Sequence, residues 1–436
     1  MDLEALAAEL RATPSLRPVG RVVAATGVLL RLVLPAARVG DLVRIRRPGA
    51  ALTAEIVGFE AGHALALPLG ELTGVGPDDA VEATGGRFEI GVGPALVGRV
   101  LDGFGRPLDG LPAPAASAFA PVDREPPPAL GRRPVSERFT TGVRVLDGLL
   151  TFGVGQRVGL FAGSGVGKST LLGAIARSSS ADVVVVALVG ERGREVAEFL
   201  EHSLGAEGRK RAVVVVATSD APPIERLRAV QVATTIAEYF RDEGRGVLLL
   251  VDSITRAARA QREIGLAAGE PPARRGYPPS VFTLLPRLLE RSGQGERGAI
   301  TAVYTVLVEG GDLDEPVADE VRGILDGHVV LERAIAARAH YPAVDPLASI
   351  SRVMDRVVTP EHARAAKSVR ALLAAYEEKR DLVTLGAYVA GTDPRVDAAI
   401  RARADLERWL KQDANEATPF ARTLEELSAL ARRHPS

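Results

Sequence analysis

Apolar residues along the chain follow three patterns, which change near residues 90 and 355. Between residues 20 and 90, short apolar stretches are separated by turn residues, a spacing that predicts a compact β-barrel. The predicted barrel strands are Gly20–Ala25, Val28–Leu34, Asp41–Ile45 and Leu52–Val57. Ahead of them, residues 1–12 have the pattern of a short helix with one apolar face, formed by Leu3, Leu6, Ala7 and Leu10. That face suits either packing on its own domain or docking of a partner protein.

From residue 155 onwards, nearly continuous apolar runs alternate with helical stretches. Such runs are typical of strands that are buried on both faces. Their alternation with helices predicts an α/β domain with a largely parallel sheet. The predicted strands are Val158–Ala162, Val183–Val189, Val213–Ala217, Val247–Val251 and Thr301–Val308, and the predicted helices include residues 169–178 and 224–242.

The last part of the chain is predicted to be helical, because no strand pattern follows residue 355. The predicted helices are Glu361–Leu382, Asp397–Lys411 and Leu424–Arg433. A different composition marks residues 107–134, which contain eight prolines and therefore cannot hold a helix. We expect this stretch to be an extended connector that runs over the surface.

Composition narrows the classes of function. The 436 residues predict two or three domains, and 54 basic residues almost cancel 55 acidic ones, which argues against a protein that coats nucleic acid. A basic cluster at Arg44, Arg46 and Arg47 lacks aromatic residues that could stack bases, so a solvated strand face is the better interpretation. The absence of cysteine excludes disulfides and thiolate metal sites, and the six histidines show no ligand spacing.

The N-terminus predicts no export signal, because Met-Asp-Leu-Glu is acidic where a signal peptide would be basic. No apolar run approaches the ~18–20 residues that are required to cross a bilayer. We therefore expect a soluble, cytoplasmic protein that contacts a membrane only peripherally or through a partner. The only metal we expect is Mg²⁺ carried by a nucleotide.

The strongest chemical signal is the stretch Ala162–Thr170, which reads Ala-Gly-Ser-Gly-Val-Gly-Lys-Ser-Thr. It follows an apolar strand and opens a helix, which is the context of a P-loop. Its glycines let backbone N–H groups face phosphates, and the helix N-terminus favours negative charge. Lys168 would reach the β- and γ-phosphates of ATP, and Ser169 would ligate Mg²⁺. The predicted nucleotide contacts are Gly163, Ser164, Gly165, Val166, Gly167, Lys168, Ser169 and Thr170. The alternative is a glycine-rich turn without a ligand.

Two acidic residues follow predicted strands of the same sheet. Asp252 ends the strand Val247–Val251, where it suits either a Mg²⁺ ligand of the Walker B type or a helix N-cap. Glu191 follows the strand Val183–Val189, where it suits either a carboxylate that orients the attacking water or a solvated charged turn. Because open α/β sheets bind ligands beyond the carboxyl ends of their strands, both residues should lie beside the P-loop. The sequence therefore predicts an ATPase.

Together with further motifs, these residues resemble the hexameric ATPases that are related to rotary ATP synthase catalytic subunits. Within that group the chain is most similar to the flagellar and type III secretion export ATPases. The stretches that carry the resemblance are Val97–Gly103, Gly105–Gly110, the P-loop, Arg275–Phe282, Ile324–His328, His340–Met354 and Gly386–Asp393.

The resemblance implies an α/β fold with a RecA-like P-loop ATPase core, an N-terminal β-barrel and a C-terminal helical domain, assembled as a homohexamer with ATP between subunits. It implies that Glu191 is the catalytic carboxylate, that Asp252 is the Walker B residue and that Arg192 faces the phosphates. Arg352 would be an arginine finger that reaches the γ-phosphate of the neighbouring subunit, and Tyr341 would stack on adenine. The sequence around Arg352 carries no such signal by itself.

Domain limits and partners follow from the same resemblance. The expected units are an N-terminal partner-binding helix (1–18), the barrel (19–90), the ATPase domain with its connector (91–354) and the helical domain (355–436). The expected partners are a stator-like regulator at the N-terminal helix, a central stalk, chaperone–cargo complexes and the export gate at the inner membrane, without specific nucleic acid.

The predicted function is ATP hydrolysis that energises protein export through a flagellar or virulence type III secretion apparatus, releasing chaperones and helping to unfold cargo. A catalytic subunit of a rotary ATPase is the first alternative. A Rho-like RNA translocase is a second, although the aromatic-poor barrel and the balanced charge count against it. A non-catalytic ring subunit is a third, and Glu191 argues against it.

Overall fold

A computed structural model of the protein describes residues 19–435. The helix predicted over residues 1–12, and the partner-binding segment 1–18 that contains it, lie outside the described residues. Across residues 19–435, none of the helices combines the length and the apolar character that a membrane crossing requires.

Six antiparallel strands close into a barrel in the order β1-β2-β5-β4-β3-β6. They are β1 (Val19–Thr26), β2 (Leu29–Val33), β3 (Leu42–Ile45), β4 (Leu52–Glu60), β5 (His63–Pro68) and β6 (Ala80–Ala83). Along β2, Leu30 and Leu32 are fully buried while Arg31 between them is exposed, as the alternation of a half-buried strand requires. The predicted barrel is confirmed, and β5 and β6, whose short sequences carry little β-branched signal, complete its closure.

Short strands connect the barrel to the core. They are β7 (Glu89–Val92), β8 (Val100–Asp102), β9 (Ala118–Pro121), β10 (Arg138–Phe139) and β11 (Phe152–Gly153). The strand β9 lies within the proline-rich connector and pairs with β7, so this part of the connector is extended, as predicted. The strand β8 instead forms one edge of the main sheet.

A nine-stranded sheet lies at the centre of the ATPase core, in the order β19-β18-β12-β17-β15-β13-β14-β8, with β16 added beside β17. Its remaining strands are β12 (Arg157–Ala162), β13 (Val183–Glu191), β14 (Ala212–Thr218), β15 (Gly246–Asp252), β16 (Gly293–Gln294), β17 (Ala299–Leu307), β18 (Gly327–Leu331) and β19 (Val344–Ser351). Only the β18–β19 and β16–β17 pairs within this described sheet are antiparallel. The prediction of a largely parallel sheet is confirmed, because the other six strand pairs of this sheet are parallel. Every residue of β13 is buried, as expected for a strand that is covered on both faces.

Helices cover both faces of the sheet and make up the C-terminal region. They are α1 (Arg144–Leu149), α2 (Lys168–Ser178), α3 (Gly193–Glu198), α4 (Gly205–Arg209), α5 (Pro223–Asp242), α6 (Ile254–Ala267), α7 (Pro279–Leu289), α8 (Pro316–Ile324), α9 (Arg333–Ala336), α10 (Met354–Val357), α11 (Pro360–Thr384), α12 (Pro394–Leu410) and α13 (Phe420–Arg433). Helix α12 starts three residues before the predicted limit because the side chain of Asp393 caps it by accepting from the amide of Arg395. The predicted fold class is confirmed, while the exact domain limits remain predictions.

Candidate active site

The loop between β12 and α2 has the backbone of a phosphate cradle. Gly165 and Gly167 adopt left-handed conformations, with φ of 77° and 88°, and glycine accepts these without strain. Helix α2 begins at Lys168, so its free N–H groups face the loop. The loop lines a cavity of about 640 Å³ together with Glu191, Arg256 and further residues of the strand ends.

Lys168 and Asp252 meet at the floor of this cavity. The Lys168 Nζ donates to Asp252 Oδ1 at 2.5 Å, and Thr305 Oγ1 donates to the same oxygen at 2.8 Å. Burial opposes the charge on Lys168, but the carboxylates of Asp252 and Glu191 outweigh it and raise the pKa of Lys168. The N-cap interpretation of Asp252 is wrong, because Ser253 caps α6 and leaves Asp252 pointing to the lysine.

Glu191 is the last residue of β13 and only 8% of it is exposed. Its Oε1 lies 3.4 Å from Lys168 Nζ, and its Oε2 accepts from Arg256 Nη2 at 3.2 Å. Burial, helped by a hydrogen bond to Glu195 and opposed by Lys168, raises the pKa of Glu191 to about 7. A carboxyl group poised near neutral pH suits proton transfer or water activation, and its burial does not fit a solvated turn.

The oxygen ligands of this site suit Mg²⁺. Ser169 lies in the first turn of α2 on the wall of the cavity, and Asp252 lies beneath Lys168. Hydroxyl and carboxylate oxygens are the ligands that Mg²⁺ prefers, usually combined with phosphate oxygens and water. The residues present therefore fit a metal ion that arrives with a nucleotide.

Tyr341 lies on the other side of the loop. Its ring carbons are 3.4 Å from the position that a Cβ on Gly167 would occupy, and the residue is half exposed. It lines a second cavity of about 620 Å³, which shares Gly165, Gly167 and Thr170 with the first one. The geometry therefore brings an aromatic face next to the predicted phosphate site.

The two predicted arginines lie in different places. Arg192 lines the mouth of the first cavity with 80% of its side chain exposed, and its Nη1 lies 3.5 Å from Glu195 Oε1. Arg352 lies at the opposite edge of the sheet, where its amide donates to the carbonyl of Asp326 at 3.0 Å. The Asp326 carboxylate in turn binds Arg157, which is the first residue of β12. The P-loop follows the last residue of β12, at the other end of that strand. The structure thus does not bring Arg352 to the P-loop of its own chain.

Sequence reasoning missed four residues of the site. Arg256 and Thr305 contact the predicted carboxylates, and Arg333 approaches Gly163 across the cavity. No local pattern marks them, because they come from α6, β17 and α9. Glu195 could have been found, since it follows Glu191 by four residues at a predicted strand end.

Comparisons with known proteins agree with this arrangement. Residues 142–351 match the model of the ATP synthase alpha/beta family, nucleotide-binding domain, and residues 358–429 match that of the T3SS EscN ATPase C-terminal domain. The chain is 49% identical over 433 residues to the flagellum-specific ATP synthase of Bacillus subtilis, covering 99% of both chains. It is 51% identical over 413 residues to the type 3 secretion system ATPase of Sinorhizobium fredii, covering 94% of this chain and 92% of the relative.

Among solved structures, the chain is similar to the assembled ATPase EscN in complex with its central stalk EscO, from the type III secretion system of enteropathogenic E. coli. The TM-score is 0.88 at 45% identity, and the match covers 94% of this chain and 99% of that one. The C-terminal match favours the secretion branch over the rotary catalytic subunits.

Proposed function

This chain belongs to the ATPases of flagellar and type III secretion systems, and we propose that it hydrolyses Mg-ATP to release chaperones from export cargo and to help unfold that cargo. The observation that carries the proposal is the cluster of Lys168, Asp252 and Glu191 at the P-loop of a chain that matches these ATPases over nearly its whole length.

The chemistry assigns a role to each group of the cluster. Lys168 exchanges its carboxylate partners for the phosphates of ATP, whose negative charge the loop amides and the start of α2 also stabilise. Glu191, ionised above pH about 7, orients and polarises the attacking water, and Arg256 holds that carboxylate in place. Ser169 and Asp252 offer oxygen ligands to Mg²⁺, which supplies charge neutralisation on the phosphates. Arg192 at the cavity mouth adds positive charge to the same site.

We propose a homohexamer in which Arg352 acts on the neighbouring subunit. Supporting this, Arg352 and the P-loop lie at opposite ends of β12, so a head-to-tail contact would place the arginine of one chain beside the P-loop of the next. Repeating a heterologous contact closes a ring when the rotation allows it. The related EscN is described as assembled.

The partners that we propose are based on what related ATPases bind. EscN forms a complex with a central stalk, and a corresponding stalk protein is proposed here. Leu382, Leu385 and Val389 are exposed at the α11–α12 turn, an apolar surface that a stalk or a chaperone–cargo complex could cover. A stator-like regulator at the N-terminal segment, and docking at the export gate on the cytoplasmic side of the inner membrane, complete the proposal.

Replacing Lys168 by Ala in the chromosome tests this function. We expect flagellin or effector proteins to disappear from the medium, and the missing set identifies the apparatus that the enzyme serves. The matched control is Lys210→Ala, which removes an exposed lysine whose Nζ pairs with Glu207 at 2.6 Å, and it should secrete normally. Unchanged secretion and motility in the Lys168→Ala strain would refute the export function.

A further inference from the structure

The cavity beside Tyr341 is the place where the nucleoside part of the substrate must go. The cavity that holds Lys168 and Glu191 receives the phosphates, and the two cavities meet at Gly165, Gly167 and Thr170. A nucleotide whose γ-phosphate points towards Glu191 therefore extends its base away from it, past Tyr341. This step rests on the proposed ATPase function.

The outer side of that cavity is formed by residues 411–416, which we call the base wall. The base wall belongs to the loop between α12 and α13, so it comes from the C-terminal helical region and not from the sheet. Its position relative to the P-loop depends on contacts that cross from that region to the core.

One buried side chain makes several of those contacts. Arg144, the first residue of α1, is 8% exposed, and its Nε donates to the carbonyl of Trp409 at 3.0 Å. Its other nitrogens donate to the carbonyl of Lys411, to the carboxylate of Glu416 and to Thr418 Oγ1. Arg144 therefore forms hydrogen bonds to both ends of the base wall, at Lys411 and Glu416.

Further hydrogen bonds tie the base wall to the nucleotide site itself. The amide of Gln412 donates to the carbonyl of Tyr341 at 2.9 Å, and its Oε1 accepts from the amide of Arg144 at 2.7 Å. Arg177, in the last turn of the P-loop helix, donates to the carbonyl of Ala414 at 2.6 Å. Tyr341, the P-loop helix and the base wall are thus held as one unit.

We propose that Arg144 is a positioning residue for the base of the nucleotide: by holding the base wall in place, it sets the affinity for the nucleoside part and leaves the affinity for the phosphates unchanged. Without its guanidinium, the wall must become ordered each time a nucleotide binds, which costs affinity. The buried carbonyls that Arg144 satisfies would also lose their donor. The phosphate cavity shares none of these contacts.

The test compares a ligand that has a base with one that has none. In the full-length chain with Mg²⁺, calorimetry measures the Kd of ADP and the Kd of tripolyphosphate for the wild type and for Arg144→Lys, which keeps the charge but loses the planar set of donors. We expect the Kd of ADP to rise about tenfold and that of tripolyphosphate to stay within about twofold. In the ATPase assay, KM for ATP should rise while kcat changes little.

Two further variants keep the test decisive. Arg177→Gln removes a hydrogen bond between the base wall and the P-loop helix. It should therefore also weaken the binding of ADP but not of tripolyphosphate, and it replaces Arg144→Lys in the test if that variant fails to fold. Arg31→Gln is the matched control, because it removes an exposed arginine that pairs with Glu60 in the N-terminal barrel, outside the base wall and its contacts. Equal weakening of both ligands, or unchanged ADP binding, would overturn the proposal. A wild-type chain that binds neither ligand would instead refute the nucleotide site, and the inference with it.

Discussion

Two inactive variants of this chain should restore each other's activity when they form mixed rings. Lys168→Ala removes the phosphate-binding amine, and Arg352→Ala removes the proposed finger. Within one chain, Arg352 lies near the first residue of the six-residue strand β12, whereas the P-loop begins after the last residue of that strand. Five steps of about 3.3 Å separate those ends by roughly 17 Å, whereas an extended arginine side chain reaches roughly 7 Å. If Arg352 is the finger, it must therefore act on the site of a neighbouring subunit.

The expected recovery follows from counting interfaces. In a ring assembled at random from equal amounts of both variants, a site works when its P-loop comes from an Arg352→Ala chain and its arginine from a Lys168→Ala chain, which holds for about one quarter of the sites. Phosphate release should therefore reach about a quarter of the wild-type rate if sites act independently. Each variant alone should stay near background, because a finger supplied in trans contributes about 10³- to 10⁵-fold in rate.

The controls use the double variant Lys168→Ala/Arg352→Ala. Mixed with either single variant it can form rings, but no interface combines an intact P-loop with an intact arginine, so no activity should return. Co-purification of differently tagged chains checks that mixed rings exist. The reasoning is refuted if verified mixed rings stay inactive, or if Arg352→Ala alone keeps nearly the wild-type rate.

Three further variants test the site and its support. The wild-type rate should fall as pH drops through about 7, because Glu191 then takes up a proton. Glu195→Ala removes the hydrogen bond that raises the pKa of Glu191, so a pH–rate profile should show this acid limb at lower pH, and an unmoved limb contradicts the role of that bond. Thr305→Val removes the hydroxyl that donates to the Asp252 carboxylate at the end of β15. A titration should then show that half-maximal ATPase activity needs about tenfold more Mg²⁺, whereas an unchanged curve would assign Thr305 to packing alone. Arg228→Met leaves the buried Glu55 of the barrel without its partner, so urea unfolding should show that the free energy of unfolding falls by about 3–5 kcal/mol. Adding Glu55→Gln should recover part of this stability, and equal stability of the single and double variants would argue against the pair.

The fold could be predicted where one periodicity dominates a stretch of chain. The stretches that form β13 and β15 are apolar at nearly every position, so the sequence predicted that both faces of these strands are buried. The edge strand β19 was missed because it contains a proline and exposes several side chains, and its partner β18 was missed beside it. Edge strands obtain their conformation from a neighbour more than from their own pattern.

The sequence alone was enough to predict the P-loop, because its glycines, Lys168 and Ser169 lie close together in the chain and their geometry depends on the local backbone. It also indicated Glu191 and Asp252, since strand ends of a parallel sheet share one edge. The folded structure alone shows which distant groups complete the site, among them Arg256, Thr305 and Arg333 near the P-loop and Arg144 behind the base wall. It alone placed Arg352 at the far edge of the sheet. These distances arise from strand order and from packing between remote segments, and spacing along the chain does not encode them.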